Sequence, residues 1–303
     1  MESSLDWKRL YIFLGFAFGI SWIIGLIIYL TGGLVNSPEI IPGSKITLAV
    51  MLEAFGYMWA PALAHIFTRL VTRQGWQDLL LAPHFKNNWK FWLAGWFGPG
   101  LLTIIGIAVY FLIFPGQFDG NLTSLRSMLD ANPTSKGTDP WLIVIAQTLS
   151  AFIMAPAINS FFTFGEEFGW RGYLLPMLLP LGEKKAFLVS GIIWGLWHAP
   201  VIAMGHNYGL EYAGYPWLGI LAMIWFCILC GTFLGWASLH AGSVWPAVIG
   251  HAALNGFAAL GMLFVAGGEA NNLLGPISVG VIGSIGFLIT TLLIFFIPKK
   301  DLA

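Results

Sequence analysis

Long runs of apolar residues, separated by short polar segments, are the main pattern of this chain. Eight apolar stretches occupy residues 11–30, 46–70, 92–115, 141–164, 186–204, 216–239, 244–266 and 276–297. A bilayer core about 30 Å thick is crossed by roughly 20 apolar residues in a helix. The pattern therefore predicts an all-α fold, a polytopic integral membrane bundle with about eight transmembrane helices.

Composition supports a membrane protein and excludes several other classes. Hydrophobic residues make up 57% of the chain and charged residues only 9%, and the mean hydropathy is +0.79. A soluble domain carries about 25% charged residues. Because charges are this scarce, a soluble enzyme and a disordered chain are excluded. No basic face is clustered, so no nucleic acid partner is expected, and two cysteines exclude a disulfide scaffold.

The distribution of Lys and Arg predicts how the bundle is oriented. With the N-terminus in the cytosol, eleven basic residues fall on the cytosolic side and three (Lys45, Arg126 and Lys136) fall outside. Basic residues concentrate in cytosolic loops. We therefore expect both termini and the loop at 71–91 in the cytosol and the loop at 116–140 outside. In a prokaryote the host bilayer would be the cell membrane.

Few ionisable residues lie within or beside the predicted spans. They are Glu53, His65, Glu166, Glu167, Arg171, His198 and His251. A charge inside the bilayer is costly and usually marks function. Glu53 could cap a helix contact or line a polar cavity, and the sequence leaves both open. His65 is expected at the inner boundary, and His206 on the far side of the membrane from the site.

The fourth span ends in two neighbouring carboxylates. Glu167 and Arg171 are four residues apart on one helix face, so we expect an ion pair there, partly exposed at the interface. Glu166 is rotated by about 100° from Glu167 and has no evident partner of its own. A free carboxylate is what a general base requires. The alternative is that all three residues only anchor the helix at the interface.

Two further spans carry polar residues at helical spacing. Trp194 precedes His198 by one turn and can pack on the imidazole, while His251 and Asn255 share one face of the seventh span. We expect these side chains and Glu166 to share a cavity open to the cytosolic side. The alternative is that each histidine has only a structural role and forms a hydrogen bond with a neighbouring helix.

The order Glu-Glu-x-x-x-Arg at 166–171, Trp-x-x-x-His at 194–198 and His-x-x-x-Asn at 251–255 resembles the CPBP family of intramembrane proteases. This family is also known as the type II CAAX prenyl protease or ABI family, and its lysostaphin-resistance-protein-like members are included. The similar region covers about residues 141–266. The second motif usually begins with Phe, and Trp194 stands there in this chain.

The resemblance implies a membrane-embedded endopeptidase, a hydrolase acting on membrane-associated proteins or peptides at the cytosolic side. It makes Glu166, His198, His251 and Asn255 catalytic, with Glu167, Arg171 and Trp194 in support. Glu166 would activate water with the help of His198, and His251 and Asn255 would donate toward the oxyanion. The family is described as metalloprotease-like, so Glu166, His198 and His251 could instead bind one divalent metal, Zn²⁺ above others. A metal-free glutamate mechanism fits the same residues.

Two other functions are compatible with such a membrane protein. One is a non-catalytic family member that acts as a scaffold or protects against a bacteriocin, and the other is a proton-coupled transporter. The transporter is disfavoured because no internal repeat is visible. We divide the chain into N-terminal helices and a polar loop (1–140), a catalytic core (141–268) and a C-terminal helix (269–303).

Overall fold

A computed structural model describes residues 4–44, 46–268 and 270–297. Within these ranges the chain is helical, with two isolated β-bridges and no β-strand. The helices are α1 Trp7–Leu30, α2 Leu48–Leu52, α3 Ala60–Thr72, α4 Phe85–Ile113, α5 Thr123–Ala131, α6 Pro140–Ile158, α7 Ser160–Gly169, α8 Leu175–Leu178, α9 Glu183–Trp197, α10 Ala199–Ile202, α11 Trp217–Ala241, α12 Trp245–Phe257 and α13 Ile285–Phe296. Lys45, Lys299 and Lys300, which count in the charge bias, lie outside the described residues.

The predicted all-α membrane bundle is confirmed. Six helical segments of the described chain are long and apolar enough to cross a bilayer. They are Trp7–Leu30, Leu48–Thr72, Phe85–Ile113, Pro140–Ile158, Trp217–Ala241 and Trp245–Phe264. The fifth and eighth apolar stretches form shorter helices, α9 and α13. Large apolar side chains such as Leu30 and Leu112 point outward, as lipid-facing residues do.

Two spans are interrupted by π-helical turns. Glu53–Tyr57 is one such turn between α2 and α3, and Trp170–Leu174 is another between α7 and α8. The fourth span is divided at Asn159 into α6 and α7. Inside α6, Pro156 lacks an N–H, and the carbonyl of Phe152 accepts from the indole of Trp96 instead. Single π-turns inside helices occur often at functional sites. The first turn lines the cavity described below, and the second contains Arg171 of the Glu-Glu-x-x-x-Arg motif.

The loops gather at two ends of the bundle. One end, called here the basic end, is formed by segments 73–84, 179–184 and 242–244. There Val244 donates its N–H to the carbonyl of Leu80, and Pro180 lies near Arg69. The opposite end comprises segments 31–44, 114–139, 203–216 and 258–284 without residue 269. There Tyr208 donates to the carbonyl of Val279. The alternation of loops between ends agrees with the predicted threading of the spans.

The long helix α11 runs through the centre of the bundle and positions α9. A Cβ atom at Gly191 would lie 2.5 Å from the Cα of Ile228, and one at Gly195 would lie 2.4 Å from the Cα of Ile224. Only glycine permits this separation, so the two helices are in backbone contact. His198, directly after α9, is thereby held against the core.

Candidate active site

The two carboxylates of the fourth span lie on α7, which packs closely on the second span. A Cβ atom at Gly165 would lie 2.6 Å from the carbonyl oxygen of Met58, and one at Gly169 would lie 2.4 Å from Cβ of Pro61. Two glycines flanking Glu166 and Glu167 therefore let this turn approach the neighbouring backbone. As a result, both carboxylates are enclosed within the bundle.

Glu166 is only 3% exposed and has a specific partner, contrary to the expectation that it has none. The indole Nε1–H of Trp194 donates to Glu166 Oε2 over 2.8 Å. The expectation was wrong because helical spacing identifies only partners on the same helix, whereas Glu166 lies on α7 and Trp194 on α9. A single neutral donor fixes the carboxylate and leaves its other oxygen, Oε1, for a reactant.

Glu167 lies at the centre of a buried charge network. Its Oε1 accepts from Arg171 Nη1 and from His251 Nδ1, each at 2.8 Å. The predicted Glu167–Arg171 pair is present, but its predicted partial exposure is wrong, since Glu167 and Arg171 are both buried. Arg171 lies in the π-turn that follows α7, and its side chain is inside the bundle. The guanidinium also lies 4.2 Å from the centre of the Trp194 ring, so the network supports the indole that binds Glu166.

His198 follows the last residue of α9, and its Nδ1 contacts the backbone of α9 and, at 4.0 Å, the sulfur of Cys227. Its Nδ1 lies 2.8 Å from the carbonyl oxygen of Trp194. Because a carbonyl only accepts, Nδ1 carries the proton, and in the neutral ring Nε2 is left as an acceptor. The predicted packing on Trp194 is present, with ring centres 5.8 Å apart.

His251 and Asn255 lie on α12, one turn apart. The Nδ1–H of His251 donates to the Glu167 carboxylate, and its ring meets Trp194 edge to face at 5.4 Å. His251 is buried, whereas Asn255 is exposed. The helix thus presents one fixed imidazole in the interior and one amide nearer the surface.

All four residues with predicted catalytic roles line a single cavity of about 280 Å³. Glu166 and His251 lie at its buried part and His198 and Asn255 at its more accessible part. The four residues come from three spans that are separated in the sequence: Glu166 from the fourth, His198 from the fifth, and His251 and Asn255 from the seventh. The structure therefore brings together the residues that sequence reasoning had selected singly.

The same cavity is lined by polar residues that sequence reasoning did not assign to it. They include Glu53 and Tyr57 from the π-turn of the second span and His206 from the loop after α10. His206 was expected far from the site, and that expectation is wrong because the cavity extends to the end of the bundle where this loop lies. The signal that could have indicated Glu53 is a carboxylate within an apolar span. The sequence left two roles open for Glu53, and the structure shows that it lines a polar cavity.

The accessible part of the cavity lies toward the opposite end of the bundle. His206 and Ser278, which line it there, belong to segments at that end, and Glu53 lies close to it, directly after the short helix α2. The side chains of Glu53 and His206 are 22% and 36% exposed, against 3% for Glu166. With the predicted orientation this end is external, in contrast to the expected opening toward the cytosol.

A second buried network fixes the second span beside the carboxylates. His65 is fully buried, and its Nδ1–H donates to the carbonyl of Phe168 at 2.9 Å, while Arg69 Nε donates to its Nε2 at 2.6 Å. Arg69 also pairs with Asp78. Burial raises the pKa of the Asp78 carboxyl, but the hydrogen bond and charge of Arg69 outweigh this and hold the pKa below its ordinary value. The network therefore locks α3 to the residue after Glu167.

The site does not assemble the donors that a catalytic metal would need. Within the ranges 4–44, 46–268 and 270–297, no group of three His, Cys, Asp or Glu side chains is arranged to hold a metal ion. Glu166, His198 and His251 line one cavity but do not converge as three ligands, and Glu166 is already bound by an indole. The residues as arranged therefore do not fit the Zn²⁺ site that the resemblance implies.

The fold and the cavity define a class of integral membrane protein, in which glutamate, histidine and asparagine side chains from separate spans meet inside the bundle. Comparison with known proteins agrees with this. Residues 140–257 match the type II CAAX prenyl endopeptidase Rce1-like family. The protein "CAAX prenyl protease 2" of Methanococcus maripaludis is 33% identical over 93 residues, which are 30% of this chain and 34% of that protein. The chain thus matches about a third of this relative's length.

The resemblance seen in the sequence motifs is therefore confirmed. Residues 140–257 are similar to this family of membrane proteases over about two fifths of the chain. The matched segment contains Glu166, Glu167, Arg171, Trp194, His198, His251 and Asn255.

Proposed function

We propose that this protein is an intramembrane endopeptidase that hydrolyses a peptide bond of a membrane-associated protein or peptide with water activated by Glu166. The observation that carries the proposal is the shared cavity. It presents a carboxylate, two imidazoles and an amide to one space, beside apolar walls. These are the groups that general-base hydrolysis and oxyanion stabilisation require.

Glu166 is the general base in this mechanism. The indole of Trp194 holds one carboxylate oxygen, so the other can accept a proton from water. His198 is fixed by the carbonyl of Trp194 and offers Nε2 to the same water. One indole-bearing residue therefore orients both groups that act on the nucleophile, which reduces the reorganisation needed for attack.

His251 and Asn255 stabilise the oxyanion in this mechanism. Glu167 accepts from Nδ1 of His251, and in the doubly protonated ring the second N–H, at Nε2, is a donor. The amide nitrogen of Asn255 is a second donor from the same helix face. When the tetrahedral intermediate collapses, Glu166 returns its proton to the leaving amine.

Both termini lie in the cytosol in this proposal, as the bias of Lys and Arg predicts. Because the bundle is embedded in lipid, the substrate is a protein or peptide that is itself associated with the bilayer.

The test compares membranes from cells that express the wild-type protein or Glu166→Gln. The substitution keeps the side-chain shape and removes the base, and general-base loss costs about 10²–10⁴ in rate. We expect at least one membrane protein to appear as a shorter form only with the wild type, as measured by terminal-peptide mass spectrometry. Glu211→Gln, an exposed carboxylate outside the cavity, is the matched control. Identical peptide patterns for wild type and Glu166→Gln would favour a scaffold function instead.

A further inference from the structure

Glu53 and His206 form a polar pair at the accessible part of the cavity. Glu53 Oε1 lies 3.5 Å from His206 Nδ1, and both side chains are partly exposed. Glu53 comes from the π-turn of the second span and His206 from the loop after α10. A substrate that reaches Glu166 from the accessible side passes this pair. The mechanism proposed above does not use either residue.

The charges that surround the cavity are predominantly negative. Its lining includes the carboxylates of Glu53 and Glu166 and, among the described residues, neither Lys nor Arg. Arg171 lies behind the lining and is paired with Glu167. With His206 neutral, a protonated His251 compensates only one of the two carboxylates and the balance stays negative. A cationic group is therefore favoured in the cavity and an additional carboxylate is disfavoured.

The remaining walls are apolar and fit an uncharged segment of peptide. They are formed by Met58, Val201, Met223, Phe226, Leu254 and Val279. The cavity thus combines an apolar surface near Glu166 with one acidic position at its accessible part. This arrangement matches a peptide in which an apolar segment is adjacent to a positive charge.

We propose that the Glu53–His206 pair is a recognition subsite for an ammonium or guanidinium group of the substrate. The inference rests on the proposed endopeptidase function and adds the charge of its substrate. Glu53 accepts hydrogen bonds from the cation, and His206 orients the Glu53 carboxylate. A substrate that presents a free carboxylate at this position is repelled by Glu53.

The experiment uses the full-length protein reconstituted in lipid vesicles and a set of synthetic apolar peptides. All are acetylated and amidated, and one position next to the apolar segment is varied among Lys, Arg, Gln and Glu. Two companion sets carry either a free amine or a free carboxylate at the peptide end. Cleavage rates, as kcat/KM, are measured by mass spectrometry. The companion sets distinguish a side-chain cation from a terminal amine as the preferred ligand.

The wild type should cleave the Lys and Arg peptides about tenfold faster than the Gln peptide, because hydrogen bonds to charged groups are worth about that factor or more. Glu53→Gln should remove this preference while the Gln peptide is still cleaved, which also shows that the variant is folded. Glu53→Lys should reverse the preference toward the Glu peptide. Glu211→Gln, at the same end of the bundle but outside the cavity, should keep the wild-type preference.

Equal rates for all peptides, a preference that survives in Glu53→Gln, or faster cleavage of the free-carboxylate set would overturn the subsite and leave the endopeptidase function standing. If no peptide is cleaved faster by the wild type than by Glu166→Gln, the endopeptidase function itself is wrong, and the subsite falls with it.

Discussion

The indole Nε1–H of Trp194 donates to Glu166 Oε2 over 2.8 Å, and its backbone carbonyl accepts from His198. One residue of α9 therefore orients two groups of the candidate site. The motif that ends in His198 usually begins with Phe in the family, and Phe could not make the bond to Glu166.

Replacement of Trp194 by Phe should slow peptide hydrolysis without unfolding the bundle. An aromatic ring is kept at this position, while the N–H donor and part of the ring surface are lost. A hydrogen bond to a charged group is worth about 1.5–3 kcal/mol, which corresponds to a rate loss of about tenfold or more if the bond orients the base. Single-turnover cleavage measures the loss. Trp217→Phe, at an exposed position, is the control, and wild-type turnover in Trp194→Phe would show that the bond is dispensable.

Replacement of Glu167 by Gln should destabilise the protein strongly. Glu167 is fully buried and binds both Arg171 and His251, so its removal leaves Arg171 without its compensating charge. Breaking a buried pair costs about 3–5 kcal/mol, rather than the 1 kcal/mol or less of an exposed pair. Unfolding in detergent, followed by tryptophan fluorescence, should show this against Glu39→Gln, an exposed control. A Glu167→Gln protein of normal stability and no activity would instead make Glu167 the catalytic carboxylate.

Replacement of Asn255 by Ala should reduce turnover by about 10²–10³, the typical cost of losing an oxyanion donor. Asn255 is exposed and lines the cavity, so folding should be unaffected. His198→Ala should be as damaging as Glu166→Gln because both act on the same water. The rates are to be compared at equal amounts of monodisperse protein. Asn207→Ala, which alters another polar group of the cavity, shows whether any polar loss has the same effect.

Hydrolysis should not depend on a divalent metal. The three residues that could be ligands do not converge in the structure. Purified active protein should therefore lack stoichiometric zinc by elemental analysis and should retain activity in a chelator. Loss of activity in the chelator, with recovery on addition of Zn²⁺ and release of metal by His251→Ala, would establish the zinc mechanism instead.

Cysteine labelling should reveal which end of the bundle faces the cytosol. In a background with the buried Cys227 and Cys230 replaced by Ala, a cysteine at Ser127 should react with an impermeant reagent in intact cells. One at Gln77 should react only after permeabilisation. Both positions are exposed and they lie at the two different ends. The reverse pattern would invert the proposed orientation. Because His206 lies at the same end as Ser127 and Glu53 lies close to it, the result also shows from which side substrate enters.

Much of the architecture is determined by the sequence alone. The apolar runs define the spans, since each helix in a bilayer must satisfy its own backbone hydrogen bonds and needs about 20 apolar residues to do so. The motif residues could be selected for a related reason. Glu166, His198 and His251 are costly in an apolar environment, so their occurrence indicates a role. The spacing of Glu167 and Arg171 likewise predicted their ion pair, because residues four apart meet on one helix face.

Only the tertiary structure decides which residues of different helices meet. The bonds from Trp194 to Glu166 and from His251 to Glu167 cross between helices, and periodicity within one helix contains no information about them. Arg171 is buried within a π-turn, and the cavity extends to the loop that carries His206, and neither feature is predicted by the sequence. Side-chain contacts between spans follow from the packing of whole helices, which the close approaches at Gly165 and Gly191 fix. The sequence therefore specifies the helices and the chemistry they carry, and the packing of the helices specifies the site.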